Sequence, residues 1–503
     1  MGRRLVAPLP HGADSPTVTA PSAGPILVVD VGTSGVRGAV VRPDASVGAV
    51  HHRAVLPSSP APGLVEFDPT VMADAALAVA RAALAEGGPV AAVGVTNQRA
   101  SSVVWDRATG EPVGPGLGWQ DLRTVGDCLV WQAEGLRFAP NESATKFAHL
   151  LDAADPERRR DLCVGTVDSW IAWHLTEGAE HVSDQSNVAV TGLCGGEGVD
   201  WDDKVLDALR IPRAALPRIV DSLGALGPAT ALDGAPPLAA LVGDQQASLI
   251  GQGCVRPGMA KITFGTGGML DVCVGPERPA SARQGRHGTF PIVAWRQAGA
   301  TTWGVEAIML AAGTNVEWLR DDLGVLDSAE QSHEVAAACD HSDGVVFVPA
   351  LLGLGTPRWD YGARGTLLGV TRGTGRPQLV RAVLEGVAQR GADLVEAAEA
   401  DTGLTLGGLR IDGGMSGNPT FVQAVADATG RPVEVSPERE ATTLGAGFLG
   451  GLAVGTWAGW DEIAGTWRPQ AVVEPARDLD RDRWRDALDR AAGWEPDLSA
   501  ISF

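Results

Sequence analysis

Short apolar runs that end in glycine or a carboxylate, met in both halves of a 503-residue chain, constrain its fold more than any other feature. Ile26-Leu27-Val28-Val29-Asp30, Val93-Gly94-Val95-Thr96, Leu238 to Asp244, Ala260 to Gly265, Val345 to Pro349 and Leu409 to Gly414 each read as a buried strand closing on a polar or glycine turn. Unbroken apolar strands of this kind belong to sheets covered on both faces. The covering helices are legible too. Val71 to Leu84 is Ala-rich and apolar, and Leu379, Val383, Leu384, Val387, Leu394 and Val395 recur at helical spacing behind Pro377, a residue suited to a first turn. Strands alternating with helices make an α/β architecture. One strand set precedes residue 252 and another follows 256, so glycine-rich Gly251 to Gly258 is the expected joint.

Charge removes whole classes of partner. Lys plus Arg number 40 against 61 Asp plus Glu, a formal charge of -21, which repels nucleic acid and anionic membrane surfaces. An anionic ligand needs local help from backbone amides, a few placed cations or a metal ion. The cysteines, Cys128, Cys163, Cys194, Cys254, Cys273 and Cys339, are scattered without a Cys-x-x-Cys pair and read as reduced thiols. Residues 1–24 lack the apolar core of a secretory signal and are expected to be a disordered leader. No run approaches the ~20 apolar residues of a membrane span, so the cytoplasm is the expected address. Histidines do not cluster; His51, His52, His149, His174 and His333 are read as solvated or capping groups.

Three turns carry candidate chemistry. In Asp30-Val31-Gly32-Thr33-Ser34-Gly35-Val36-Arg37 a strand delivers a carboxylate into a Gly/Thr/Ser turn. Small residues there let amides approach anionic oxygens, Arg37 adds a cation, and Asp30 suits a hydrated magnesium ion. The same segment also reads as a hairpin turn with a solvated arginine. Lys261-Ile262-Thr263-Phe264-Gly265-Thr266-Gly267-Gly268 repeats the pattern in the other half, and Asp412-Gly413-Gly414 ends a third strand in a glycine pair open to a flat ring or a phosphate. Asp244 ends a fourth strand ahead of Gln245 and Gln246, either as an acceptor for a hydroxyl proton or as an N-cap. Thr96-Asn97-Gln98-Arg99 and Trp119-Gln120-Asp121-Leu122-Arg123 are polar and aromatic clusters of a kind that stacks and hydrogen-bonds a sugar.

These blocks together resemble the FGGY carbohydrate kinases, and within them the glycerol kinases most closely, over most of residues 26–460. Gly365-Thr366-Leu367-Leu368-Gly369-Val370, followed by Gln378-Leu379 and Ala382-Val383-Leu384-Glu385, matches the family signature in spacing and type. Thr166-Val167-Asp168-Ser169-Trp170 and Gly353-Leu354-Gly355-Thr356-Pro357 are further blocks of the same kind. The resemblance implies two actin-like ATPase (ribonuclease H-like) lobes around a central cleft. It places the sugar or polyol mainly on a first lobe, 25–254, and ATP mainly on a second, 255–503. It implies that Asp244 takes the substrate hydroxyl proton and that Asp30 organises Mg²⁺ and the γ-phosphate. Thr33, Ser34, Gly35, Arg37, Thr266, Gly313, Gly414 and Asn418 fall at its nucleotide positions.

The substrate positions depart from the resemblance. Arg99, Trp119, Asp244 and Gln245 match, but the glutamate that follows the matching arginine in glycerol kinases is Ala100, the tyrosine after Pro140 is Asn141, and the aromatic near Gly268 is Met269. At a nucleotide position a usual glutamine is Glu317. The expected activity is ATP-dependent phosphorylation of a hydroxyl of a small polyol or sugar, with a preference for an acceptor longer than glycerol. Glycerol itself, and a non-catalytic nucleotide sensor on the same fold, are the alternatives. Assembly into a homo-oligomer is left open.

Overall fold

The computed structural model describes residues 23–195, 199–280, 283–437 and 440–501. Ile26–Val31 is buried at every position and forms the centre of a five-stranded sheet. It turns at Gly32 to Ser34 into antiparallel Gly35–Val41, which places Asp30 opposite Arg37, and it runs parallel to Ala92–Asn97 on its other side. His51–Ala54 and Leu238–Gly243 complete the edges. The parallel crossover runs through helix Pro69–Gly87. The helix is longer than the apolar stretch predicts, because the Asp68 carboxylate accepts from the Thr70 and Val71 amides while Gly88, at φ 79°, ends it.

The second half repeats this plan. Ala260–Phe264 turns through Gly265 to Gly267 into antiparallel Gly268–Gly275 and lies parallel to Leu409–Asp412, within a seven-stranded sheet that also holds Phe290–Gln297 and Ala300–Met309. Its long crossover helix, Arg376–Thr402, closes at Gly403 with φ 71°. The molecule thus has two actin-like, ribonuclease H-like lobes, and the ends of their central strands face a common cleft. No helix among the described residues is long and apolar enough to cross a membrane. The cysteines are all free.

Two helices join the lobes, and glycines permit the join. Asp244–Gly251 continues directly from the Leu238–Gly243 strand, and Ala441–Val454, although late in the chain, covers the first sheet. They cross backbone to backbone. A Cβ on Gly445 would land on the Ala247 carbonyl oxygen, and one on Gly251 would land on that of Ala441. Gly445→Ala is therefore expected to cost ~1–3 kcal/mol of stability, the range for overpacking a filled core. Urea unfolding checks it, and an unchanged midpoint would mean the crossing is looser than described. In the expected joint, Gly251 is locked into this crossing, while Gly253 and Gly258 adopt left-handed φ of 64° and 82°.

Most of the expected leader, residues 1–22, lies outside the described residues, but Gly24 is held, its amide donating to the Thr456 hydroxyl at 3.0 Å. His174 is not a solvated group. Its ring packs edge-on against Trp170 with centroids 4.2 Å apart, and burial lowers its pKa, because helix Val167–Leu175 turns that face into a tryptophan cluster.

Candidate active site

Asp244 lies at the point where the first sheet delivers its edge strand into the cleft. It is the first residue of its helix rather than the cap, which is Gly243. Its Oδ1 accepts from the Gln245 amide at 2.8 Å and stands 3.6 Å from Arg99 Nε. The side chain remains 30 % exposed to the cleft. Burial around it raises the carboxyl pKa, against the pull of Arg99 and Lys261.

Asp30 lies near the end of Ile26–Val31, one strand removed from that of Asp244 with Ala92–Asn97 between them, and has 4 % of its surface accessible. Arg37 donates to its Oδ2 from 3.4 Å and also lies 3.9 Å from Glu440 at the start of the second lobe's crossing helix. Desolvation pushes Asp30 up to about 7; Arg37 opposes the shift and Asp244 adds to it. A buried carboxylate so weakly compensated fits a hydrated divalent cation, which keeps most of its waters and takes one or two protein carboxylates. The turn is a hairpin, as one reading of the segment expects, but its arginine reaches back to the aspartate instead of standing free in solvent. Thr33 joins the turn to the aromatic cluster, its Oγ1 accepting from Trp119 Nε1 at 3.2 Å. Ser34 is exposed and Gly35 buried.

The Arg99 loop is tightly held. Asn97 and Asn187 exchange side-chain hydrogen bonds of 2.9 and 3.1 Å, and the Gln98 amide donates to the Val31 carbonyl at 2.8 Å. Ala100 is buried at φ 61°, a region that costs an L residue roughly 1–2 kcal/mol. Its carbonyl accepts from the Ser143 hydroxyl at 3.0 Å. Lys146, fully buried, donates to the Trp119 and Asn141 carbonyls at 3.2 and 3.3 Å, and burial pulls its ammonium down to about 7. Trp119 and Asn141 are thereby fixed through their backbones, and the Asn141 residue is exposed.

In the second lobe the Gly265 turn is stapled to the start of helix Thr314–Asp321. The Gly313 amide donates to the Gly265 carbonyl at 2.8 Å, and the Ala312 amide and Thr314 hydroxyl donate to that of Thr266 at 2.8 and 3.0 Å. A Cβ on Gly313 would come within 2.7 Å of the Gly265 oxygen, and one on Gly413 would strike the Phe264 carbonyl, whereas one on Gly414 would meet nothing. The result is a stretch of bare backbone with Thr266 and Gly414 exposed, of a kind suited to phosphate oxygens and a flat ring. Asn418 caps helix Pro419–Thr429 by accepting from the Phe421 amide, and its Nδ2 donates to Ser332. Glu317 is exposed in the first turn of Thr314–Asp321.

Several groups in the cleft escaped sequence reasoning. Lys261, fully buried, places its ammonium 2.8 Å from Asp271 and donates to Gln245 Oε1 and Thr263 Oγ1, each at 2.9 Å. With Oε1 held by Lys261, the Gln245 Nε2 donors are the group turned free for a ligand. Glu306 reaches Arg99 Nη2 at 2.5 Å from the second lobe. Asp184, buried beneath the first sheet, accepts from the Ser186 and Ser222 hydroxyls, and Ser186 in turn accepts from the Gly243 amide at 2.9 Å, bracing the backbone that presents Asp244. The available signal was a charge inside an apolar strand, as in Val305-Glu306-Ala307, which cannot be buried without a partner.

Known proteins resemble this chain along nearly its whole length. The N-terminal domain model of the FGGY family of carbohydrate kinases matches residues 25–251, and its C-terminal domain model matches 260–454. A glycerol kinase of Aromatoleum aromaticum is 41 % identical over 93 % of this chain and 99 % of its own length; glycerol kinase 2 of Thermotoga maritima is 38 % identical with the same coverage. Plasmodium falciparum glycerol kinase, solved with ADP, superposes at a TM-score of 0.86 with 27 % identity over 96 % of this chain and 99 % of that one. A xylulose kinase of Rhodospirillum rubrum, 23 % identical over 94 % of this chain and 99 % of that one, shares the fold at 0.82. The chain belongs to the FGGY family of carbohydrate kinases and is a phosphotransferase whose acceptor is an alcohol group.

Proposed function

We propose that the protein transfers the γ-phosphoryl group of ATP to a hydroxyl of a small polyol or sugar longer than glycerol, in the cytoplasm. The first lobe holds the acceptor and the second the nucleotide. The observation that carries the reading is the presence, at the same edge of one sheet, of Asp244, part-exposed and flanked by Arg99 and Gln245, and of Asp30, with strand Ala92–Asn97 between their strands. Phosphoryl transfer asks little covalent work of a protein; positioning and charge neutralisation do most of the catalysis. Asp244 accepts the proton of the attacking hydroxyl. Arg99 and Gln245 donate to acceptor oxygens, and Trp119 packs against the carbon chain. Arg37 and the amides of the Gly32 and Gly265 turns meet phosphate oxygens, while Gly313, Gly414 and Asn418 border the purine. Asp30 holds a hydrated Mg²⁺, which when bound neutralises charge on the phosphate oxygens.

The preference for a longer acceptor rests on Ala100 and Asn141, whose side chains are shorter than the glutamate and tyrosine expected there. A second reading, glycerol itself, is favoured by the identity to glycerol kinases over almost the whole chain. ADP release with glycerol, erythritol, xylitol and pentoses tests the activity. Polyol-dependent release is expected, and ATP binding with no release under any acceptor would point to a nucleotide sensor instead.

A further inference from the structure

The geometry points to Glu306 as a positioning residue for acceptor recognition, supplying from the second lobe the carboxylate that residue 100 does not carry. This rests on the kinase reading above. Arg99 has a planar fork of donors, and two of its three nitrogens are engaged: Nη2 on Glu306 at 2.5 Å, and Nε near Asp244 at 3.6 Å. The third, Nη1, is buried without a hydrogen-bond partner among the described residues. A buried orphan donor is costly, and a hydroxyl oxygen of the acceptor satisfies it. The orientation of that donor is set by Glu306, because a guanidinium gripped at one nitrogen in a fixed plane has no freedom left at the others.

The pair spans the cleft, since Arg99 follows a strand of the first sheet whereas Glu306 lies within strand Ala300–Met309 of the second. Both side chains are nearly buried, at 11 % and 8 % exposure. Gly243 makes room for the arginine stem, as a Cβ there would come within 2.7 Å of Arg99 Cδ. Glu306 is held from behind by its strand register. It pairs with Asp271, whose charge is taken by Lys261, so the glutamate has Arg99 as its own partner. Acceptor recognition is therefore assembled from both lobes.

Glu306→Gln preserves shape and removes the charge. The expected result is an acceptor KM raised ~10–100-fold, the weight of a charge-assisted hydrogen bond, with kcat and the KM for ATP little changed. Arg99→Ala should mask it, so that the double variant is no worse than Arg99→Ala alone. Ala100→Glu should restore part of the affinity in the Glu306→Gln background. An unchanged acceptor KM, or a loss that adds in full to that of Arg99→Ala, overturns the proposal. Should Glu306→Gln not fold, Glu306→Asp carries the same test by shortening the reach. Calorimetric titration with erythritol and xylitol separates the two readings. Binding without turnover that Glu306→Gln weakens overturns the kinase reading alone; turnover with binding that Glu306→Gln leaves intact overturns this one alone; absence of binding overturns both.

Discussion

Asp244→Asn should lower kcat by ~10²–10⁴-fold while acceptor binding largely survives, because the amide keeps the shape of the carboxylate and loses its capacity to take a proton. The environment makes the effect readable. Arg99 at 3.6 Å and the Gln245 amide at 2.8 Å hold the side chain in place, so the substitution removes chemistry before it removes geometry. Burial raises the Asp244 pKa, so in the wild type kcat/KM should fall on the acid side at a higher pH than an ordinary carboxylate would give. The sign follows from the role: a base must be deprotonated to act, and each unit of pH below its pKa removes tenfold of the active form. Rapid-quench measurement of phosphorylated product checks the first effect. Near-normal turnover in the variant would remove Asp244 from the mechanism.

Lys261→Met should destabilise the fold by about 3–5 kcal/mol, the range for removing one partner of a buried ion pair. Both Lys261 and Asp271 are fully buried and 2.8 Å apart, so the variant strands a carboxylate where water cannot reach it. Asp271→Leu added to the same chain should recover most of the loss, since an apolar pair of similar volume replaces the ions without a desolvation cost. The single variant also frees Gln245 Oε1, so whatever folded protein it yields should bind acceptor poorly. Urea denaturation of both variants is the measurement. A loss under 1 kcal/mol in the single variant would show that the ammonium is dispensable.

What was legible in the sequence was local. Asp30 and Asp244 each end an apolar run, and a carboxylate at the end of a buried strand needs no distant partner to be noticed. The strands around Gly32 and Gly265 could be placed to within a residue or two for the same reason. Contacts that join remote segments were out of reach. Glu306 and Arg99 lie 207 residues apart, and nothing in either neighbourhood names the other. The left-handed backbone at Ala100 is set by the Ser143 bond and the packing around it, not by alanine's own preference. The Gly251 and Gly445 crossing needs two helices brought together by tertiary folding, and a histidine on a helix, such as His174, reads as polar until its tryptophan neighbours are known.

On the proposed reading, Ala100 and Asn141 stand at acceptor positions where side chains shorter than glutamate and tyrosine disfavour a short substrate. Arg99, held by Glu306, keeps its free donor, and Gln245 keeps its amide donors. The measurement that bears most directly on this is kcat/KM for glycerol, four- and five-carbon polyols and pentoses, in the wild type and in the Ala100→Glu/Asn141→Tyr variant. The wild type is expected to prefer a longer polyol or sugar, and the double variant to shift toward glycerol. A wild type that prefers glycerol over every other member of the panel would contradict the account.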